Sequence, residues 1–195
     1  SFWPRPVLER SFLKSVTQGS GHLDLSSPAL IVGAGGLAKH IVGGLSQIGF
    51  IKMSITHENE QEGLKFLDQI RRSFFNIEFD FVKKTDVTTL PGIYSILVNT
   101  SPLVLSNTLL DELYFFNFLK PQGVVIDLSL VPSSTPLLLE AKQWGARLLS
   151  GDAIFAQYDM DMLKLALPAD LANKLDVATY RSHLKQSTDS VNVDL

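Results

Sequence analysis

A chain of 195 residues, 45% hydrophobic and 19% charged, is long enough for one well-buried domain with a short appendage, and too short for two full catalytic domains. That composition excludes a wholly disordered polymer, and a net charge of −3 without a basic block leaves no cationic footprint for nucleic acid. The absence of cysteine excludes disulfides, thiolate metal sites and thiol nucleophiles.

No apolar run reaches the length of a membrane span, and a cytoplasmic location is expected. The start, Ser1-Phe2-Trp3-Pro4-Arg5-Pro6, has neither an initiator methionine nor the charged-then-apolar order of a signal peptide. It reads as the beginning of a piece of something longer. Pro4 and Pro6 lead into a helical stripe, Val7, Leu8, Phe12 and Val16, and the Gly/Ser-rich residues 18–27 form a connector. Residues 1–27 are therefore read as a lead-in helix and linker.

The organising stretch follows. Ala29-Leu30-Ile31-Val32 is a short β-branched run that enters Gly33-Ala34-Gly35-Gly36-Leu37-Ala38. Leu37, Ile41, Val42, Leu45 and Ile48 then recur at helical spacing, Gly49 supplies a stop, and residues 51–56 read as the next strand. Strand, Gly-x-Gly-x-x-Ala turn, helix and strand, with the acidic Glu58 further on, make a dinucleotide-binding unit: the glycines permit the tight turn and close backbone approach, and helix-start amides meet the pyrophosphate.

A second helix is expected to about Phe75, with Leu64, Leu67, Ile70 and Phe74 inward. Ile77, Phe79 and Phe81 alternate with Glu78 and Asp80 as in a half-buried strand, residues 83–91 read as a loop, and residues 94–98 as a strand buried on both faces. A helical stretch over residues 107–118 leads to a turn at Pro121-Gln122-Gly123. A strand over 124–128, a helix over 135–144, a short strand over 147–149 and a helix after Gly151 complete the alternation. It predicts a Rossmann-type open parallel sheet of order 3-2-1-4-5-6 with helices on both faces, spanning residues 28–167. Pro168 breaks the pattern; residues 169–185 are read as one last helix and 186–195 as a loose tail.

Several of these segments, in register from Leu30 to Gln157, resemble the C-terminal nucleotide-binding half of shikimate and quinate dehydrogenases: Gly33 to Ala38, then Asn99-Thr100-Ser101-Pro102, then Ile126-Asp127-Leu128 with Pro132 and Thr135-Pro136-Leu137-Leu138, then Gly145-Ala146 and Gly151 with Gln157. The resemblance implies an NAD or NADP site and hydride transfer to or from a ring carbon bearing hydroxyl or ketone. It also implies a first domain, holding most of the substrate site and a Lys/Asp pair, that this chain does not match.

Departures from the family pattern are concentrated near the chemistry. The family aspartate, counted back from Phe12, falls on Leu8, which cannot exchange a proton. A Gly-Met pair is replaced by Val104-Leu105, and a tyrosine by Leu130. The Asn-Arg-Thr that holds a 2′-phosphate is replaced by Thr56-His57-Glu58, which tilts the expected cofactor from NADP towards NAD.

The candidate cofactor residues are thus Gly33, Ala34, Gly35, Gly36, Leu37, Ala38, Thr56, His57, Glu58, Asn99, Thr100, Ser101 and Gly151. Gln157 and Asp127 are placed on the substrate side, although a lone carboxylate ending an apolar strand more often satisfies loop amides. No catalytic residue is assigned, and the scattered histidines and the Asp159/Asp161 pair suggest no metal site. The Tyr114-Phe115-Phe116 and Phe2-Trp3 segments are candidate partner surfaces, and homo-oligomerisation is left open. The alternative reading is a non-catalytic regulatory or assembly module with a degenerate dehydrogenase fold, as in fungal quinate-pathway repressors.

Overall fold

The computed structural model describes residues 7–102, 108–130 and 134–189. Six strands, β1 Ala29–Val32, β2 Lys52–Thr56, β3 Glu78–Val82, β4 Tyr94–Asn99, β5 Leu119–Asp127 and β6 Arg147–Ser150, form one sheet in the order β3-β2-β1-β4-β5-β6. Every neighbouring pair is parallel, as the alternation of strand and helix patterns predicts.

Strand β1 is apolar at every position because both its faces are covered. Ala29 and Ile31 join the cluster that holds α1 (Val7–Gly19), α2 (Gly36–Ile48), α3 (Glu60–Arg71) and the start of α6 (Gly151–Ala166). Leu30 and Val32 point the other way, into a cluster with α4 (Thr108–Leu113) and α5 (Pro136–Trp144). Burial of each large side chain of this kind stabilises by about 2 kcal/mol before entropy is counted.

Helix α1 is knit into the core. Phe12 and Val16 are fully buried, and α2 receives them through a glycine pair: a Cβ at Gly44 would lie 2.6 Å from the Phe12 ring, and one at Gly43 2.6 Å from the Glu9 carboxyl carbon. Glu9 in turn meets His40 Nδ1 at 3.3 Å and accepts from Gln47 Nε2 at 3.0 Å.

Five details differ from the pattern reading. Helix α3 ends at Arg71, and Leu64 is exposed while Gly63, Phe66, Leu67 and Ile70 are buried. The cause is a close approach: a Cβ at Gly63 would collide with the Phe81 ring, so the helix turns its glycine inward and its leucine out.

The expected loop after β3 is a 3-10 turn, Lys84–Thr89, that buries Val87. It stands where a crossover helix would otherwise run. Lys52, Glu78 and Asp80 are exposed and, with the buried Ser54, line a cleft of about 480 Å³ beside Tyr94 and Lys120.

Helix α4 stops at Leu113 because Phe116 takes φ +47° and is wholly buried, its ring centroid 6.1 Å from Phe118 and 6.2 Å from Trp144. Phe116 therefore offers nothing to a partner, whereas Phe115 is 64% exposed; Asn107 and the Phe2-Trp3 pair lie outside the described residues. The turn at Pro121-Gln122-Gly123 exists, but inside β5. Tyr94 pairs with Leu119 and Ile96 with Val124, so residues 120–123 bulge opposite Ser95 with Gln122 at φ +59°.

The C-terminal helix is broken in two, α7 (Ala169–Ala172) and α8 (Val177–Asp189). Asp176 accepts from the Thr179 amide at 2.9 Å and the Ala178 amide at 3.3 Å, and a side chain so used caps a new helix instead of continuing the old one. Residues 186–189 belong to α8, and the rest of the expected tail lies outside the described residues. Among the described residues no helix is long and apolar enough to cross a membrane.

Candidate functional site

The carboxyl ends of β1, β2 and β4 converge on the glycine turn. Gly33 has φ +112°, a left-handed conformation costly for any side chain, and a Cβ there would collide with Thr100 Oγ1 and lie 3.1 Å from Ser101 Oγ. Its amide donates to Thr56 O at 2.9 Å, and Thr100 Oγ1 donates to Val32 O at 2.7 Å. The turn is thereby stitched to both neighbouring strands.

Gly35 caps the 13-residue α2 without a side-chain hydrogen bond. Gly35 and Gly36 are exposed, and nothing lies within 4 Å of where their Cβ atoms would be. The first-turn amides of a helix have no intrahelical partners and carry partial positive charge; here they face open ground, where an anion's oxygens fit. Ala34 and Leu37 are half-buried and Ala38 is buried against the core, so they pack the helix on the sheet. The cradle fits a dinucleotide pyrophosphate.

At the end of β2, Thr56 is fully buried, and its Oγ1 and the Nδ1 of His57 have no hydrogen-bond partner among the described residues. His57 Nε2 lies 3.3 Å from Glu62. Glu58 accepts from Lys84 Nζ at 2.6 Å through one oxygen and from the Leu109 amide at 2.9 Å through the other.

The β4–β5 side is arranged differently. Asn99 and Asp127 are both fully buried. Asn99 donates to Asp127 Oδ1 at 3.0 Å and accepts from the Ser101 amide at 3.0 Å; Asp127 also accepts from the Ser129 amide at 3.0 Å and the Thr135 hydroxyl at 2.6 Å. Thr135 caps α5 by accepting from the Leu138 amide. The buried Asp127 carboxylate organises the loops, the role weighed beside its expected place on the substrate side.

Beside the turn, a cleft of about 380 Å³ is lined by Leu37, Thr100, Ser101, Pro102, Leu128, Ser129, Leu130 and Phe155. None of these is an acid, a base or a nucleophile with a partner base. Ser129 Oγ in its wall is buried and unpartnered among the described residues. Larger clefts exist, such as one of about 850 Å³ between α1, α6 and α8, but they do not touch the glycine turn, and location decides the assignment.

Gln157 lies in that larger cleft, 6% exposed, donating to Asp161 Oδ1 at 2.7 Å, while Asp161 also accepts from Ser11 of α1 at 2.8 Å. Gln157 and Asp127 are not brought together. Gly151 is buried because a Cβ would lie 2.6 Å from Ser129 O, which gives it a packing role. Leu8 is half-buried on α1; Val104-Leu105 and Pro132 lie outside the described residues. Pattern reasoning missed Phe155, hidden among helical apolar positions, and Lys84, whose signal was its place directly after a period-two strand. Among the described residues no group of three or more His, Asp or Glu could hold a metal ion.

No family model matches the chain. It is 27% identical over 147 residues to the shikimate dehydrogenase (NADP(+)) of Geobacter sulfurreducens, covering 74% of this chain and 51% of that protein. It is likewise 27% identical over 162 residues to that of Gloeothece citriformis, covering 80% and 55%. The chain spans about half the length of the curated relatives it matches. Among solved structures, quinate dehydrogenase from Corynebacterium glutamicum in complex with NAD superposes with a TM-score of 0.73 at 19% identity, over 93% of this chain and 62% of that one. Shikimate 5-dehydrogenase from Thermus thermophilus, in complex with NADP(H) and shikimate, gives 0.65 at 20% identity with the same coverages. The chain resembles shikimate dehydrogenases in sequence and shares the Rossmann-type fold of the shikimate and quinate dehydrogenase structures.

Proposed function

We propose that this chain is the dinucleotide-binding half of a dehydrogenase that interconverts a hydroxyl and a ketone on a cyclic hydroxy acid. The observation that carries the reading is the open glycine turn: backbone amides at the start of α2 with no capping side chain, no neighbour over Gly35 or Gly36, and the ends of β2 and β4 drawn against it. The open turn at Gly35 and Gly36 holds the pyrophosphate, His57 and Glu58 face the adenosine ribose with Thr56 buried beneath them, and Thr100 and Ser101, positioned by Asn99, flank the nicotinamide side.

A bound nicotinamide supplies or accepts the hydride; this chain binds and orients it. Acid–base chemistry comes from elsewhere, because none of the described residues lining the cleft beside the turn is titratable and Leu8 stands where the family pattern places aspartate. A further domain or a partner chain brings the proton-transferring group. NAD is favoured over NADP, since the chain has His57-Glu58 where an arginine would clamp a 2′-phosphate. The non-catalytic alternative draws no support from the relatives, which are dehydrogenases by name.

Calorimetric titration with NAD, NADH, NADP and NADPH tests the proposal. One of the four is expected to bind at micromolar concentration, and Gly35→Asp, which sets a carboxylate where the pyrophosphate belongs, is expected to weaken it about 100-fold or more. Thermal stability should hardly change, because the new side chain enters open space. No binding by any of the four nucleotides overturns the proposal.

A further inference from the structure

Strands β2 and β3 are paired in register, Thr56 opposite Val82. Two positions beyond each strand end stand Glu58 and Lys84, joined by a 2.6 Å contact. The neighbouring groups follow the same rule: Lys83 meets Glu60 at 3.1 Å and His57 meets Glu62 at 3.3 Å. Three carboxylates thus face two lysines and a histidine at the lip of β2, the edge over which the adenosine ribose of a dinucleotide lies in a unit of this kind.

Glu58 is placed to act twice. Both its oxygens already accept a hydrogen bond, from Lys84 Nζ and from the Leu109 amide, but a carboxylate oxygen accepts more than one, and the side chain is 39% exposed. An exposed carboxylate can accept from ribose hydroxyls as well. Lys84, 29% exposed in its side chain, is a cation of the kind that holds a phosphate as a point charge, and Glu58 pairs with it at 2.6 Å. The Leu109 amide fixes the carboxylate from the far side and keeps it where it meets the lysine.

We infer that Glu58 and Lys84 form a coupled specificity element in which the carboxylate both accepts from an unphosphorylated ribose and withholds Lys84 from a 2′-phosphate. This rests on the proposed dinucleotide site and goes beyond it by naming Lys84 as a phosphate-binding group held in reserve. Removing the Glu58 charge is expected to favour NADP through Lys84.

The test is calorimetric titration of NAD and NADP into the wild-type chain, Glu58→Gln, Lys84→Met and the double variant, at low and at 0.5 M salt. Wild type is expected to prefer NAD. Glu58→Gln should bind NADP about tenfold or more tightly than wild type does, and the gain should fall with salt as exposed charge interactions do. In the double variant the gain should vanish.

A gain for NADP that survives Lys84→Met, or no gain in a Glu58→Gln variant that still binds NAD, overturns the inference and leaves the dinucleotide site standing. Binding of neither nucleotide to wild type overturns both. Far-ultraviolet circular dichroism and a cooperative thermal transition report that each variant is folded, and no gain for NADP in a folded Glu58→Gln variant overturns the inference whether or not it keeps NAD.

Discussion

The two sides of the sheet's carboxyl edge solve opposite problems. Around the glycine turn the backbone amides at the start of α2 are left open, and Gly35 and Gly36 keep side chains out of the space above them. Further along the edge, the fully buried Asn99, Asp127 and Thr135 and the half-buried Ser129 amide consume one another's hydrogen bonds. Both sides hold polar groups at strand ends, the place where open α/β sheets bind ligands. Satisfaction of those groups separates a ligand cradle from a structural knot.

The largest effect that sharpens this contrast is expected from Asp127→Ala. It strands three donors at once, two of them on fully buried residues, and should lower unfolding free energy by about 3–5 kcal/mol in urea denaturation; a loss under about 1 kcal/mol would mean that the cluster is not holding the loops. Gly33→Ala should cost about 2 kcal/mol or more, since it forces a side chain into φ +112° and against Thr100, and unlike Asp127→Ala it should abolish nucleotide binding even in the fraction that stays folded. Thr135→Val removes one hydroxyl that both caps α5 and donates to Asp127, for about 1–2 kcal/mol. It should leave nucleotide affinity untouched.

The smallest effect concerns a group at the opposite edge of the sheet. Burial raises the Tyr94 hydroxyl above its ordinary value of 10.0, opposed in part by its hydrogen bond to Ser54. A raised folded-state value means that Tyr94 contributes stability in full below pH 10 and loses it as pH rises through the folded value, because the unfolded chain ionises first. Unfolding midpoints measured from pH 8 to 11 should fall less steeply in Tyr94→Phe than in wild type. Nucleotide affinity over the same range should not track that substitution, since neither side of the carboxyl edge contains Tyr94.

Much of this was legible in residue patterns. The apolar run 29–32, the glycine turn, the helical stripe after it and the alternation of later segments led to the sheet order, because a parallel strand must return through a covering element and right-handed crossovers leave few choices. The helix expected over residues 135–144 is α5, with Thr135 as its cap. The site was legible where it is made of backbone: a glycine turn between a strand and a helix carries its own geometry.

What pattern could not supply was the partner of each side chain. Asp127 reads the same whether it faces a substrate or three donors, and Gln157 the same whether it reaches a ligand or Asp161. Leu64 matched the helical stripe, and only the approach of Gly63 to Phe81 turned it outward. Lys84 lies 26 residues from Glu58, and no local pattern joins them.

By itself, then, the sequence determined the order of strands, the nucleotide turn and the absence of thiol chemistry, all of which follow from local spacing and composition. Only the tertiary structure decided which polar groups are spent and which are open, because hydrogen-bond satisfaction in a parallel sheet is settled between segments distant along the chain that meet at its edge.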